Sequence, residues 1–119
     1  MYVALETAHP AARVLLDIFH IYKGGSSIET LHMVSSSAIE VLHLNDYPAN
    51  LPNTAITDAD RIYPGDGIAP VLRVLQILQD PVKPLVISVE VFNKEYYKRD
   101  ALEVAKTAFT KTKKLAEGV

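Results

Sequence analysis

Three short, branched-aliphatic runs, each separated from the next by a stretch carrying helix signals, constrain this chain more than any other feature. They are RVLLDIF (13–19), AIEVLHLND (38–46) and PLVISVEVF (84–92). Runs this short and this apolar suit strands buried in a sheet. Strands joined through helices run parallel, because a parallel pair needs a long crossover, and such crossovers are right-handed. The fold class read from the sequence is therefore α/β with a parallel sheet.

The connecting stretches supply the helices. YVALETA (2–8) reads as a leading helix stopped at His9-Pro10, since the residue before a proline is pushed out of the α region. Ser26 and Glu29 have capping-box spacing, with Ile28, Leu31 and Val34 following on a helical period. Pro70 suits a first turn ahead of VLRVLQIL (71–78), which Asp80-Pro81 ends. Asp100 and Glu103 open a final helix expected to carry Leu102, Ala105 and Phe109 toward a core. From Tyr47 to Gly67 the chain is rich in Pro, Asn, Asp and Gly and reads as a long loop, of a length that is usually functional or disordered.

Composition narrows the function. The 119 residues are 49% hydrophobic and 22% charged, ordinary values for one globular domain, with a net charge of −2 and the Lys and Arg residues clustered only near the end. That offers no basic face to a phosphate backbone, so nucleic acid is not an expected partner. With no cysteine, a disulfide framework, a Cys-bound zinc and a cysteine nucleophile are all excluded. Any metal must be held by oxygen and imidazole. No basic-then-apolar leader and no apolar run near the roughly 20 residues of a membrane span is present, so a cytoplasmic location without membrane contact is expected.

Each strand carries polar or ionisable groups late: Asp17 and then His20, His43 and then Asn45-Asp46, and Glu90. In parallel α/β folds the carboxyl ends of the strands share one edge, so three distant segments would deliver Asp17, His43 and Glu90 to one place. Parity agrees, since Ile39, Val41 and His43 alternate onto one face of the second strand while Leu42 and Leu44 take the other, and Glu90 shares a face with Val86 and Ser88. A carboxylate buried in such a strand needs a partner, and one divalent cation would satisfy all three groups. Two carboxylates and a neutral imidazole suit Mn²⁺, Mg²⁺, Co²⁺ or Zn²⁺. Simpler readings stay open: Asp17 as a turn cap, His43 as a hydrogen-bonded core histidine, Glu90 in a buried ion pair with Arg61 or Lys23. His9, before a helix-ending proline, and His32, on an expected helix, are assigned no role.

HP..R.LLDIFHIYKGG, HLNDYP, DADRIYPGDG and SVEVFN, in this order over nearly the whole chain, resemble the C-terminal part of the sugar phosphate isomerase/epimerase family, the xylose-isomerase-like TIM barrels. The resemblance implies a metal-dependent barrel with four ligands at the ends of successive late strands: a Glu, an Asp, a His and a Glu. Asp17, His43 and Glu90 match the last three. His20 matches a substrate-contacting histidine and Arg61 an arginine that binds substrate oxygens. The first ligand has no counterpart, Glu6 lying in the helix that should follow its strand. Residues 1–119 would then form a single partial barrel domain, its last three strand–helix units, since a whole barrel takes about 250 residues. Such a piece leaves sheet edges exposed, so it is expected to form a homo-oligomer or pair with a complementing barrel half, and to be inactive alone.

The function this implies is isomerisation or epimerisation of a small keto sugar or sugar phosphate, by metal-assisted proton transfer through an enediolate. Glu90 would be one of the two proton-exchanging glutamates, with His20 and Arg61 orienting substrate oxygens. The Gly24-Gly25 pair is read as a strand-to-helix turn. A keto-inositol dehydratase of the same family could begin with the same proton abstraction. The endonuclease IV branch shares the Asp17-x-x-His20 spacing but needs a histidine where Ile62 follows Asp60-Arg61. A non-catalytic α/β fragment or subunit is the rival from outside enzymology.

Overall fold

A computed structural model describes residues 6–119. Among the described residues the spine is a parallel sheet of three strands in the order β1 (Val14–Asp17), β2 (Ile39–Leu44), β3 (Val86–Val89). Three α-helices accompany it: α1 (Ile18–Lys23), α2 (Val71–Leu78) and α3 (Ala101–Ala116). Short 3₁₀ turns lie at Ile28–Met33, Ser36–Ala38, Asp58–Asp60 and Tyr96–Lys98. Among the described residues the sheet is not closed, and β2 alone has a neighbour on both sides. This is the parallel α/β arrangement expected from the alternation of apolar runs and helix signals.

The two faces of the sheet differ. Leu16, Leu42 and Ile87 form one row across the three strands. Leu42 and Leu44 are wholly buried on that side, packed with Ile18 and Phe19 of α1 and with Val71, Val74, Leu75 and Leu78 of α2. Burying each such leucine is worth about 1.5–3 kcal/mol, which makes β2 and its helices the centre of stability. The opposite face carries the rows Leu15–Val41–Val86 and Asp17–His43–Ser88. There Leu15 and Val86 are 53% and 58% exposed.

Several sequence expectations need correction. The first strand ends at Asp17 rather than Phe19, because the Asp17 side chain accepts from the Phe19 N–H and caps α1, which turns Ile18 and Phe19 into buried helical residues. Gly24 closes α1, and Gly25 follows at φ +66°, so the pair ends a helix rather than leading a strand into one. Residues 28–33 form a 3₁₀ segment capped by Ser27 instead of an α-helix opened by Ser26. β2 stops at Leu44, and β3 covers Val86–Val89, with Glu90 just beyond it but still donating its N–H to the Leu44 carbonyl at 3.1 Å. α2 occupies the expected 71–78. α3 begins after its Asp100 cap, yet Leu102 and Phe109 are 61% and 67% exposed, because among the described residues nothing packs over that side of the helix. The leading helix falls mostly outside the described residues.

The long loop from Tyr47 is ordered by one buried carboxylate. Asp46 is 1% exposed; Oδ1 accepts from Tyr47 and Ala69 N–H, and Oδ2 from Gly65 and Gly67 N–H, at 2.7–3.0 Å. Gly67 is required here, since a Cβ would strike the Tyr47 carbonyl oxygen and Asp46 Oδ1. The Asp46 backbone also forms an antiparallel bridge with Ile62, at 3.0 and 2.9 Å, which fixes Arg61 beside the end of β2.

Candidate functional site

Asp17 closes β1, His43 sits beside it in register on β2, and Glu90 lies just past β3, two residues beyond Ser88, the third member of that row. One ligating atom from each of Asp17, His43 and Glu90 lies within 4.8 Å of the others. His43 Nδ1 stands 3.7 Å from Asp17 Oδ2 and 3.2 Å from Glu90 Oε2. Donors sharing an ion at about 2.1 Å stand roughly 3–3.5 Å apart; the His43–Glu90 pair has that separation and the Asp17–His43 pair is slightly wider, and two carboxylates with an imidazole suit a divalent cation in chemistry. The parallel fold thus gathers all three residues singled out in the sequence.

Asp17 is prepared from both sides. Its Oδ1 accepts from the Phe19 N–H at 2.8 Å and from Asn45 Nδ2 at 3.1 Å, which leaves Oδ2 aimed at His43 and Arg61. Burial alone would push this carboxyl up. The Asn45 hydrogen bond, the Arg61 charge and contacts with Glu90 and the Phe19 N–H outweigh it and hold the pKa below its ordinary 3.8. Asp17 is therefore ionised at neutral pH.

Arg61 sits in the middle of this set and is 1% exposed. Nη1 donates to Asp17 Oδ2 at 3.0 Å and to Glu90 Oε2 at 2.7 Å. Nη2 contacts Asp58 Oδ1 and lies 3.3 Å from His20 Nε2. The guanidinium carbon stacks 4.4 Å from the Phe19 ring centroid and 5.2 Å from that of Phe92. Of the two ion-pair partners open to Glu90 in the sequence, Arg61 is the one observed, while Lys23 reaches the Ile56 carbonyl instead.

Around these groups an open cleft of about 600 Å³ is lined by Asp17, His20, His43 and Glu90, and farther off by Ser26, Ser27 and Thr30 together with aliphatic residues such as Leu15 and Ile39. Its size suits a small molecule. His9 is exposed, its Nδ1 accepting from Ala11 N–H, and His32 pairs with Glu29 and Arg73 at the surface, so neither enters the cleft.

Four contributors are absent from the sequence reading: Asn45 as the partner of Asp17, Asp58 as the partner of Arg61, and Phe19 and Phe92, which flank the guanidinium. Asn45 had a signal, being two residues past His43 and so on its side of the chain. Asp58, three residues before Arg61, had a weaker one.

The match to known proteins agrees with this geometry. Residues 1–113 match the family model described as xylose isomerase-like TIM barrel. An inosose isomerase of Halalkalibacterium halodurans is 38% identical over 95 residues, 80% of this chain and 33% of the relative, and one of Bacillus subtilis is 37% identical over 80% of this chain and 34% of the relative. The chain therefore spans about a third of the length of these curated relatives. The structure of the IolI protein with a bound zinc atom superposes with a TM-score of 0.87 at 30% identity, over 98% of this chain and 42% of that one. A xylose isomerase domain protein of Salmonella typhimurium shares the fold at a TM-score of 0.79 and 22% identity, over 96% of this chain and 42% of that one.

Proposed function

Because the chain belongs to the xylose isomerase-like TIM barrel family, we propose that it supplies the metal-binding part of a sugar isomerase acting on a small keto sugar. Asp17, His43 and Glu90 hold one divalent cation, and the observation that carries this is the approach of their ligating atoms to within 4.8 Å. A zinc atom in a structural relative and the inosose isomerase names of the sequence relatives support it. The ion, when bound, supplies Lewis acidity to a substrate carbonyl.

The chain's own groups do the rest. Glu90, 31% exposed at its side chain, faces the cleft and takes a proton from the carbon beside the carbonyl. His20 hydrogen-bonds a substrate hydroxyl from the same cleft, and Arg61 orients substrate oxygens. Inosose, a cyclic keto-polyol, is the substrate class the relatives suggest, and a family dehydratase would begin with the same proton abstraction. The acting location is the cytoplasm, and residues 1–119 form one partial barrel domain. Its exposed Leu15 and Val86 face is covered by association, with another copy or a complementing barrel portion, and turnover requires that completion.

The test is calorimetric titration with Mn²⁺ or Zn²⁺, followed by co-expression with the part of the Bacillus subtilis relative that this chain does not match. Single-ion binding lost in Asp17→Ala and in His43→Ala, with inosose turnover appearing only on complementation and abolished by Glu90→Gln, is expected. Undiminished metal binding by both alanine variants removes the site, and a complemented barrel that turns over equally well with Glu90→Gln removes the base.

A further inference from the structure

Arg61 Nη1 and His43 Nδ1 approach the same two atoms, Asp17 Oδ2 and Glu90 Oε2. An ion bound to these oxygens at about 2.1 Å would stand no more than about 5 Å from that nitrogen, whose contacts are 3.0 and 2.7 Å. Both charges are positive, and with Arg61 and Asp17 buried their repulsion at that separation is less screened than in bulk water. Each carboxylate oxygen would also have to divide its lone pairs between a guanidinium N–H and the ion.

We propose that Arg61 and the divalent cation are alternative partners of Asp17 and Glu90, so that metal binding displaces the Nη1 side of the guanidinium and Arg61 sets the metal affinity. This rests on the metal-centre reading above. The structure supplies what a displaced arginine needs. Nη2 is paired with Asp58, whose side chain is 55% exposed and can follow it, and the Phe19 and Phe92 rings hold the guanidinium plane through contacts that do not involve the carboxylates. Nε has no hydrogen-bond partner among the described residues, so the terminal nitrogens alone tie the group to its acceptors. A guanidinium released from Asp17 and Glu90 retains charge and donors for a substrate oxygen. The ion that admits substrate would thereby also free the residue that orients it.

The experiment compares Mn²⁺ and Zn²⁺ binding by wild type, Arg61→Gln and Asp17→Asn, using calorimetry, and follows the Arg61 side chain of wild type by ¹³Cζ and ¹⁵Nε NMR during the titration. Arg61→Gln is expected to bind at least tenfold more tightly than wild type, and the Arg61 signals should move in proportion to occupancy. If Arg61→Gln does not fold, the NMR titration decides alone. Unchanged affinity in Arg61→Gln, or Arg61 signals that stay fixed while the ion binds and Asp17→Asn abolishes binding, overturns the competition and leaves the metal centre standing. No binding by wild type or by a folded Arg61→Gln overturns both.

Discussion

Asp17 and Asp46 are both aspartates buried at the carboxyl edge of the same sheet, 7% and 1% exposed, and they are satisfied in opposite ways. Asp46 takes four backbone N–H groups, all from residues 47–69. Asp17 takes one backbone N–H and turns its other contacts to Asn45, Arg61 and His43. Backbone donors cannot leave without unfolding the loop. Side-chain donors can rotate away or be exchanged for another cation. Asp46 is thus built to hold a loop, and Asp17 to hold something that comes and goes.

The comparison breaks most visibly at Asp46. Replacing it with alanine removes the shared acceptor of four backbone N–H groups, one buried and three part-buried, each hydrogen bond to a charged acceptor being worth about 1.5–3 kcal/mol, so urea unfolding should show a loss of about 4 kcal/mol. Saturating divalent metal is the next largest effect: at a hundred times its Kd it should raise wild-type stability by about 2.7 kcal/mol and leave Asp17→Asn unmoved. A comparable gain in Asp17→Asn would mean that the ion binds elsewhere.

Acid gives a smaller, signed effect. Asp17 has its folded pKa depressed below 3.8, so the ionised form is favoured by folding; its contribution is fully present above pH 3.8 and is lost as pH falls through the lower folded value. Stability measured from pH 5 downward should therefore decline less steeply in Asp17→Asn than in wild type. Equal slopes would show that Arg61 and Asn45 do not favour the Asp17 charge.

How far this was legible in the sequence depends on whether a feature is local. The three strands and their order followed from apolar runs split by helix signals, and α2 was bounded correctly by Pro70 and Asp80-Pro81. The end of β1 was not, because Ile18 and Phe19 continue an aliphatic run and only the backbone-capping oxygen of Asp17 diverts them into α1. Asp17, His43 and Glu90 were legible because a parallel sheet aligns its carboxyl ends. The seat of Arg61 was not, since it depends on a bridge between Asp46 and Ile62 that no spacing announces. α3 was recognised as amphipathic, but amphipathicity does not reveal whether anything covers the apolar side. The smallest effect expected follows from this: Phe109→Ser, at a position 67% exposed, should change the stability of the isolated chain by less than about 0.5 kcal/mol. A larger loss would show that α3 is already covered, for instance by a second copy.

The central claim is that three side chains separated by up to 73 positions hold one cation. Equilibrium dialysis against Co²⁺, with metal and protein quantified in the retained fraction, tests it most directly. One ion per wild-type chain and none in the Asp17→Ala/His43→Ala/Glu90→Ala chain is the result predicted; equal metal content in the two would contradict it.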